Sequence, residues 1–393
     1  MTADQLLPAD FFAFQSLLTD SEQQELVALR EFLAAEVKPR VNAAWAAAEF
    51  PMDLIPRFVE ADLVGRSYEY EGRPRISRLL EGFQAMELAR VDPSMATFFG
   101  VHNGLALGSL MLLGSAEQQA RWVPAMRSME TIGAFGLTEP LGGSDVARGM
   151  RTTARRDGDE WVLDGAKRWI GNGTFADVLV LFARDVADDQ VKGFLVEQGT
   201  PGFSAAKIED KFALRTVQNA DLTFTGCRIP ATAKLENCNS FRDVNKVLKE
   251  TRAGVAWAGV GCQLGAYEVA VAYAGERQQF GRPIGGFQLV QDLLARMLGN
   301  ITASIGMTVR ISQLQEDGRL RDDQAALAKS YVTSRGRETV AWARELLGGN
   351  GIVLEHDVIR FFADAEALYS YEGTREMNTL IVGRSITGLS AFA

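Results

Sequence analysis

The fold is decided in the middle of the chain, where residues 178–182 read Val178-Leu179-Val180-Leu181-Phe182. Three further runs rich in β-branched or aromatic residues lie near this stretch, at 161–163, 193–196 and 222–224. Turn residues such as Pro201-Gly202 separate the runs. Short strands at regular spacing with turns between them are typical of a compact sheet or barrel, and we expect the strands to be antiparallel.

The segments on either side of this region have the periodicity of helices. From Thr19 to about Thr131, apolar residues recur at helical spacing, and Asp20 or Ser21 is expected to cap the first long helix. From about Arg242 the helical period returns and continues to the end of the chain. Glycine-rich breaks divide this last part at 281–286, 318 and 348–351.

This order of segments predicts a mainly α protein with a central β domain. We expect an N-terminal all-α domain at residues 1–132, a middle antiparallel β-barrel at 133–241 and a C-terminal four-helix bundle at 242–393. The alternation of strands and helices that marks a doubly wound parallel sheet is not present in the sequence.

The composition excludes several classes of function. The net charge of −9 and the pI of about 5.1 argue against a nucleic-acid partner, which requires a basic face. With only two histidines, the chain cannot build a histidine-rich zinc site. Its three cysteines have no metal-ligand or redox spacing, so no metal is expected.

The sequence favours a soluble protein over a membrane protein. Residues 1–10 carry acids and a proline, not the basic and apolar segments of a secretory signal. The long apolar stretch from Ala253 to Gly275 contains Gln263 and Glu268 near its middle, and a charge at mid-bilayer costs about 3 kcal/mol. We therefore expect this stretch to be the central helix of a bundle and the protein to be cytoplasmic.

Two stretches of the β region are candidates for ligand binding. In residues 136–145, glycines beside hydroxyl residues expose backbone N–H groups to a planar or phosphorylated ligand, although a tight turn is the simpler interpretation. In residues 167–172, Trp169 can stack on an aromatic cofactor or belong to the core. Residues 171–176 fit a loose dinucleotide pattern, but they lead into a strand, whereas a dinucleotide fingerprint opens a helix.

Three more candidate stretches lie in the C-terminal helical region. Arg277 and Arg282 stand in a glycine–proline break, where arginines can bind a pyrophosphate or simply end a helix. Residues 345–351 expose bare backbone that can approach a ligand or turn a corner. Glu372 stands in Tyr371-Glu372-Gly373-Thr374, before another helix, where a lone glutamate is usually a cap.

Taken together and in this order, the five stretches resemble the acyl-CoA dehydrogenase family, and the resemblance covers nearly the whole chain. It implies an FAD enzyme that dehydrogenates an acyl-CoA to the trans-2-enoyl-CoA, with an electron-transfer flavoprotein as acceptor and a homotetramer as the assembly. The cofactor-binding residues that it implies are Phe135, Leu137, Thr138, Gly143, Ser144, Trp169, Ile170, Gly171, Arg277, Phe280, Gln288, Glu345, Gly348, Gly349, Thr374 and Glu376.

The resemblance also assigns the chemistry. It implies that Glu372 is the catalytic base, which removes the α-proton while hydride leaves the β-carbon for the flavin. Burial against the substrate is expected to raise the pKa of Glu372. Some relatives carry the base on an earlier helix, at the position of Thr251, which cannot serve here. The implied substrate-binding residues are Ser144, Arg252, Gly373, Phe98 and Phe99. Arg277, Phe280 and Gln288 match the segment that reaches the FAD of a neighbouring subunit.

Within the family, the chain is similar to glutaryl-CoA dehydrogenases and plant peroxisomal short-chain acyl-CoA oxidases, through Trp257, residues 168–172, residues 217–219 and the tail from Ile386 to Phe392. Glutaryl-CoA dehydrogenases carry an arginine and a serine that hold the distal carboxylate, where this chain has Ala96 and Gly100. We therefore expect a plain short- or medium-chain acyl group.

A second departure concerns the electron acceptor. Gly171 replaces a threonine whose hydroxyl meets flavin N5 in most dehydrogenases, and its loss removes a hydrogen bond and can open space there. An acyl-CoA oxidase that uses O2 is therefore the alternative function. A non-catalytic acyl-CoA-binding protein on the same fold is a third possibility, against which the retained Glu372 argues.

Overall fold

The computed structural model describes residues 9–391. Residues 1–8, on which part of the signal-sequence argument depends, lie outside the described residues, as does Phe392 in the tail that contributes to the family resemblance.

The first part of the chain is helical, as predicted. Its helices are α1 (Asp20–Phe32), α2 (Lys38–Ala47), α3 (Ile55–Glu60), α4 (Arg78–Val91), α5 (Pro93–Phe99), α6 (Gly108–Leu113) and α7 (Ala116–Arg127). Short 3-10 turns lie at Phe14–Leu17 and Met52–Leu54, and π-helical stretches lie at Leu33–Val37 and Gly100–Leu107.

The start of α1 differs from the cap predicted at Asp20 or Ser21. Thr19 is the N-cap: its hydroxyl accepts the N–H of Glu22 at 3.3 Å, and the Glu22 carboxylate accepts the N–H of Thr19 at 2.9 Å. This capping box satisfies two N–H groups at once, which leaves Asp20 and Ser21 inside the first turn.

The middle of the chain forms a curled mixed sheet. Its strands are β1 (Gly133–Gly136), β2 (Thr153–Asp157), β3 (Glu160–Ile170), β4 (Val178–Asp185), β5 (Val191–Glu197), β6 (Phe203–Lys207) and β7 (Ala220–Pro230). They lie in the order β1-β4-β2-β3-β7-β6, with β5 also beside β4.

The expectation of a purely antiparallel β domain is wrong in one respect. Strands β1 and β2 both pair with β4 in parallel, whereas β2–β3, β4–β5 and β6–β7 are antiparallel. The parallel pairs are separated along the chain by the long connections that parallel pairing requires, whereas β2–β3 and β4–β5 are joined by short turns and the antiparallel pair β3–β7 is distant in sequence.

The last part of the chain is a helical bundle, as predicted. Its elements are α8 (Phe241–Glu276), the hairpin β8 (Gln278–Gln279) and β9 (Arg282–Pro283), α9 (Gln288–Glu316), α10 (Asp322–Leu346), α11 (Val358–Ser370) and α12 (Arg375–Thr387). Helix α8 crosses α4 so closely that a Cβ on Gly261 would lie 2.1 Å from the carbonyl oxygen of Met86, which only glycine allows.

Within residues 9–391, two helical segments are long and apolar enough to cross a membrane, Pro93–Leu113 and Phe241–Glu276. However, 67% and 72% of their most apolar windows are buried inside the protein. Both therefore have the burial of core helices, and the second contains the stretch predicted to be central to the bundle.

A buried charged cluster joins the three parts of the chain. Arg360 on α11 donates to Asp92, at the end of α4, at 2.5 Å and to Asn42 on α2 at 2.6 Å. Asp364, one turn later on α11, accepts the N–H of Leu214 from the β domain at 2.6 Å. Because all three charged side chains are almost completely buried, this cluster fixes α11 against both other domains.

Candidate active site

Glu372 lies in the short turn between α11 and α12. Its φ is 50° and that of Gly373 is 85°. A left-handed backbone is strained at a glutamate, because its Cβ crowds the following carbonyl oxygen, and such strain persists only where surrounding groups hold it. Thr374 then begins α12, since its hydroxyl accepts the N–H of Met377 at 3.3 Å, and Glu376 is exposed in the first turn.

Two buried side chains hold this turn. Lys329 on α10 is completely buried, and its Nζ donates to the carbonyl oxygens of Tyr369 and Gly373, each at 2.8 Å. Asn378 on α12 donates from Nδ2 to the same Gly373 oxygen at 2.8 Å. The backbone on both sides of Glu372 is therefore fixed by groups that do not bond to its carboxylate.

The Glu372 carboxylate is buried and incompletely hydrogen-bonded. Although the residue as a whole is only half-buried, its Oε2 is shielded from solvent and has no hydrogen-bond partner. Burial raises the pKa of Glu372 above its ordinary value, and the Thr251 hydroxyl and the charges of Arg252 and Lys329 offset only part of this rise. Arg252 itself pairs with Asp322 at 2.7 Å. A carboxylate in this condition is a stronger base than an exposed glutamate and has an oxygen free to accept a proton.

The loop after β1 is fastened from beneath by a buried ion pair. The Glu139 carboxylate and the Lys167 ammonium are 2.9 Å apart, and both side chains are buried. Glu139 also accepts the N–H groups of Arg151 at 2.7 Å and Thr152 at 2.8 Å, so it ties the two ends of the loop together. Burial lowers the pKa of Lys167 to about 8, partly compensated by Glu139.

The predicted ligand-binding residues of this loop differ in exposure. The side chains of Phe135 and Leu137 are buried in the core, and Thr138 is half-buried. Gly143 and Ser144 are exposed at the top of the loop, where a Cβ on Gly143 would have only one atom within 4 Å. The exposed end of the loop thus offers bare backbone and a hydroxyl, while its buried end is held in place by the Glu139–Lys167 pair.

The end of β3 lies beside this loop, because the N–H of Arg168 donates to the Thr138 oxygen at 2.9 Å. A register shift between Lys167 and Ile170 interrupts the pairing with β7, and Trp169 has a φ of 66°. Its indole is 52% exposed, with the Arg168 guanidinium 4.9 Å from the ring centre, whereas Ile170 is buried. Trp169 is therefore not a core residue, and its exposed ring is available for stacking.

The π-helical stretch Gly100–Leu107 lies between the end of β3 and the candidate base. A Cβ on Gly171 would lie 3.0 Å from Cγ2 of Val101, so Val101 fills the space that was expected to open there. About one turn along, a Cβ on Gly104 would lie 3.5 Å from Cγ2 of Thr251. The Thr251 hydroxyl in turn interacts with the Glu372 carboxylate. Gly171 and Thr251 thus both lie against this helical stretch, and Thr251 is next to the Glu372 carboxylate.

Phe98 is a core residue in this structure, and its predicted place in the substrate-binding site stays a prediction. Its side chain is completely buried, because α5 turns this face into the N-terminal core, and Phe99 is half-buried. The rings packed around Phe98 are those of Phe50, Phe58 and Phe175. The α5 residue that contacts the Glu372 turn is Thr97, whose hydroxyl is 3.4 Å from that of Tyr371.

The remaining predicted residues are not brought to this site by the chain itself. Thr251 lies on α8, and Arg277 directly follows that helix, 26 residues later. At a rise of 1.5 Å per residue, Thr251 and Arg277 are about 39 Å apart. Phe280, in the β8–β9 hairpin, has a φ of 50° and is 94% exposed. The other members of this group are exposed near helix ends: Gln288, Glu345, Gly348 and Gly349.

Sequence reasoning missed Lys329, Asn378 and Val101. Lys329 carried a signal, because it stands in the apolar stripe of α10 between the buried Ala325 and Val332, and a lysine there must find buried partners. Asn378 and Val101 carried none, since their contacts depend on how distant segments pack.

Comparisons with known proteins show the family to which the chain is similar. The models of the acyl-CoA dehydrogenase N-terminal, middle and C-terminal domains match residues 19–130, 134–227 and 241–387. The mitochondrial short-chain specific acyl-CoA dehydrogenase of Bos taurus is 32% identical over 375 residues, which are 94% of this chain and 91% of that protein.

Solved structures extend the similarity to the whole fold. Two crystal structures of glutaryl-CoA dehydrogenase from Mycobacterium smegmatis, the second in complex with FADH2, give TM-scores of 0.94 and 0.95 at 36% and 33% identity. They cover 98% of this chain and 99% and 100% of the compared chains. Butyryl-CoA dehydrogenase from Megasphaera elsdenii gives a TM-score of 0.89 at 28% identity, over 94% of this chain and 98% of that one.

Proposed function

Because the chain belongs to the acyl-CoA dehydrogenase family, and is therefore an FAD-dependent oxidoreductase acting on CH–CH groups, we propose that it converts a short- or medium-chain acyl-CoA to the trans-2-enoyl-CoA with Glu372 as the base. One observation carries the proposal. Oε2 of Glu372 is buried and has no hydrogen-bond partner, and the Thr251 side chain next to this carboxylate lies against the helical stretch Gly100–Leu107. Val101 of the same stretch lies against Gly171, which follows the strand that carries Trp169.

The residues around that strand end fit FAD. The exposed indole of Trp169 offers a flat surface for an aromatic ring system, and Gly143 and Ser144 offer open backbone and a hydroxyl beside it. The Glu139–Lys167 pair keeps the loop in place without using the groups that face outward. When bound there, FAD supplies the acceptor for the hydride from the β-carbon.

The chain's own part of the reaction is to move a proton and to stabilise charge. Oε2 of Glu372 takes the proton from the α-carbon, and its raised pKa makes it a stronger base than an exposed glutamate. The N–H of Glu372 donates to the thioester carbonyl, where negative charge develops. The strained turn fixes this donor and the carboxylate relative to each other, which removes the need to reorganise during the reaction.

The acyl group that fits is short or medium and ends in an apolar methyl. Ala96 and Gly100 provide no donor for a second carboxylate, and a Cβ on Gly100 would meet no atom within 4 Å. An ionised carboxylate buried there without a counter-charge or donor would cost on the order of several kcal/mol. Overall similarity to glutaryl-CoA dehydrogenases does not decide which acyl group is bound. Turnover of glutaryl-CoA at the rate of butyryl-CoA would overturn the proposal of a plain acyl chain.

We propose an electron-transfer flavoprotein as the acceptor, with O2 as the alternative. Gly171 favours the oxidase, because it provides no hydroxyl at the position where most dehydrogenases have one. Val101 favours the dehydrogenase, because its side chain fills the space that oxygen would enter. Peroxide formed in air at the rate of flavin reduction, without an electron-transfer flavoprotein, would decide for the oxidase.

We further propose that the active assembly is a homotetramer in which a neighbouring chain completes each cofactor site. Phe280 is 94% exposed on a strained hairpin, and Leu289 nearby is 82% exposed. Neither side chain has an evident purpose in a single chain. A Phe280→Ala variant that still retains FAD as tightly as the wild type, or a purified monomer that retains FAD, would contradict this assembly.

The test of the function is bleaching of the bound flavin under anaerobic conditions by a panel of acyl-CoA esters. We expect butyryl-CoA or a medium-chain ester to bleach the flavin within the dead time of manual mixing, and Glu372→Gln to remain yellow. A purified protein that is colourless and cannot be reconstituted with FAD would instead support a non-catalytic binding protein.

A further inference from the structure

We propose that Lys329 is the positioning residue of the active site: its ammonium group clamps the backbone on both sides of Glu372 and places a positive charge beside the carboxylate without pairing to it. The inference rests on the proposed function, because it assigns Lys329 a part in the reaction of Glu372.

The geometry of the clamp is specific. Nζ of Lys329 donates to the carbonyl oxygens of Tyr369, three residues before Glu372, and Gly373, one residue after it, both at 2.8 Å. One side chain therefore closes the whole turn from the other side of the bundle, since Lys329 belongs to α10 and the turn joins α11 to α12. Two of the three ammonium protons are used by these bonds.

The turn needs such a clamp. Glu372 and Gly373 both have a left-handed backbone, and a glutamate adopts this conformation only under external constraint. Asn378 supplies a second donor to the Gly373 oxygen at 2.8 Å, but it carries no charge. Holding the backbone and supplying charge are therefore separable, because Lys329 does both and Asn378 does only the first.

The charge also acts on the carboxylate. Glu372 faces the Thr251 hydroxyl, the Arg252 guanidinium and the Lys329 ammonium, and all three favour its ionised form against the effect of burial. The neighbouring Tyr371 phenol is buried and its pKa is raised above its ordinary value. Arg252 already pairs with Asp322 at 2.7 Å, so its charge is shared.

The surroundings of Lys329 are consistent with a charge kept for this purpose. Burial lowers its pKa to about 8, while the carboxylates of Glu372 and Glu376 raise it and Arg252 lowers it. A buried lysine is costly, and a purely structural tie between two carbonyls is available to a neutral amide such as that of Asn378. The cation is thus better explained by the carboxylate next to it than by the backbone alone.

The experiment compares four variants of the full-length holoenzyme. Lys329→Met keeps the approximate shape of the side chain but removes its charge and its hydrogen-bond donors. Lys329→Arg retains a positive charge and donors. Asn378→Leu removes only a neutral donor. Thr333→Val is the matched control on α10, since the Thr333 hydroxyl bonds only to the Lys329 backbone oxygen at 2.8 Å. Each protein is checked for FAD content and visible spectrum before the rate of anaerobic bleaching by butyryl-CoA is followed against pH.

We expect Lys329→Met to retain FAD and to bleach about 10²-fold more slowly at neutral pH. The charge that this variant loses favours the ionised form of the Glu372 carboxylate. The acid limb of its pH–rate profile, where the bleaching rate falls as pH is lowered, should therefore move to higher pH by about one unit. Asn378→Leu should slow bleaching without moving the acid limb. Lys329→Arg should bleach at least about tenfold faster than Lys329→Met. Thr333→Val should match the wild type. Infrared titration of the carboxyl band that disappears in Glu372→Gln should show the same shift without turnover.

An acid limb and a carboxyl band in Lys329→Met that coincide with those of the wild type would overturn the proposal and leave Lys329 a structural residue. If Lys329→Met does not fold as a flavoprotein, Lys329→Gln is judged by the same criterion. A wild-type protein that no acyl-CoA ester bleaches would instead refute the proposed function, and this inference with it; the wild-type arm distinguishes the two failures.

Discussion

Two buried carboxylates, one in the middle of α11 and one just beyond its end, differ in how they are bonded. Asp364, within α11, accepts bonds from the Leu214 N–H at 2.6 Å and the Trp45 indole at 3.3 Å. Glu372, two residues beyond the end of α11, has an Oε2 with no partner. Burial raises the pKa of both, that of Asp364 to about 7 with a contribution from Asp92. The first carboxylate is occupied in holding domains together, and the second is left free to react.

The cations of the two regions differ in the same way. Arg360 bonds directly to the carboxylate of Asp92 at 2.5 Å. Lys329 bonds to backbone oxygens and leaves the Glu372 carboxylate unpaired, although its charge is close enough to affect that group. A buried ion pair gives fixed geometry, whereas a nearby charge without a bond gives a carboxylate that is ionised and still able to accept a proton.

The largest expected effect is on the chemical step. Glu372→Gln keeps the shape of the side chain but cannot take a proton, so anaerobic bleaching by acyl-CoA should slow by about 10³-fold or more. FAD content and the visible spectrum should not change. Asp364→Asn is the comparison: its rate, measured on the fraction that folds, should stay within about tenfold of the wild type. Equal losses in the two variants would erase the distinction between the two carboxylates.

Stability should show the opposite ranking. Arg360→Met leaves Asp92 buried without its counter-charge and should lower the free energy of unfolding by about 3–5 kcal/mol. The control is Arg337→Met, which breaks an exposed pair with Glu366 at 2.8 Å and should change it by no more than about 0.5 kcal/mol. Urea unfolding of both variants measures the difference; similar values would mean that the cluster does not fix the domains.

The Glu139–Lys167 pair extends the comparison to the cofactor. Lys167→Met removes the cation from beneath the loop after β1, and FAD should bind about tenfold more weakly because the loop is less well fixed. Dissociation of FAD, followed by the recovery of its fluorescence, measures this change. An unchanged FAD affinity would show that the loop keeps its conformation without the pair.

A small gain in stability is expected from the same change that abolishes activity. The pKa of Glu372 is raised in the folded protein, so the folded state favours the protonated form and loses stability as pH rises above the pKa of the unfolded chain. At neutral pH, Glu372→Gln should therefore raise the melting temperature by about 1–3 °C. Near pH 4 the difference should vanish, because the wild-type carboxylate is then protonated in both states. A lower melting temperature for the variant at neutral pH would contradict the shift.

Most of the fold was predictable because it depends on local patterns. The strand at Val178–Asp185 and the helices on either side are encoded by hydrophobic periodicity, which any window of sequence contains. The parallel pairing of β1 with β4 was not predictable, because strand partners are chosen over long distances. Thr19 was missed as a helix cap because three adjacent residues, Thr19, Asp20 and Ser21, are all good caps, and only the reach to Glu22 distinguishes them.

The candidate site was predictable to the extent that it is built from motifs. Glu372 and Trp169 lie in short stretches with a recognisable order, and neighbours of both, Thr251 and Gly171, lie against the stretch from Gly100 to Leu107. The complete burial of Phe98 was not predicted, because the face of α5 that enters the core depends on packing against other aromatic rings. Lys329 was overlooked, because its purpose appears only when α10 meets the turn after α11.

The most direct measurement is the pH dependence of anaerobic flavin bleaching by butyryl-CoA, from about pH 5 to about pH 9, for the wild type and Glu372→Gln. We expect the wild-type rate to fall on the acid side with a midpoint clearly above the ordinary glutamate pKa of about 4.3, and the slow residual rate of the variant to lack that limb. A wild-type midpoint at the ordinary value, or the same acid limb in both proteins, would mean that Glu372 is not the base.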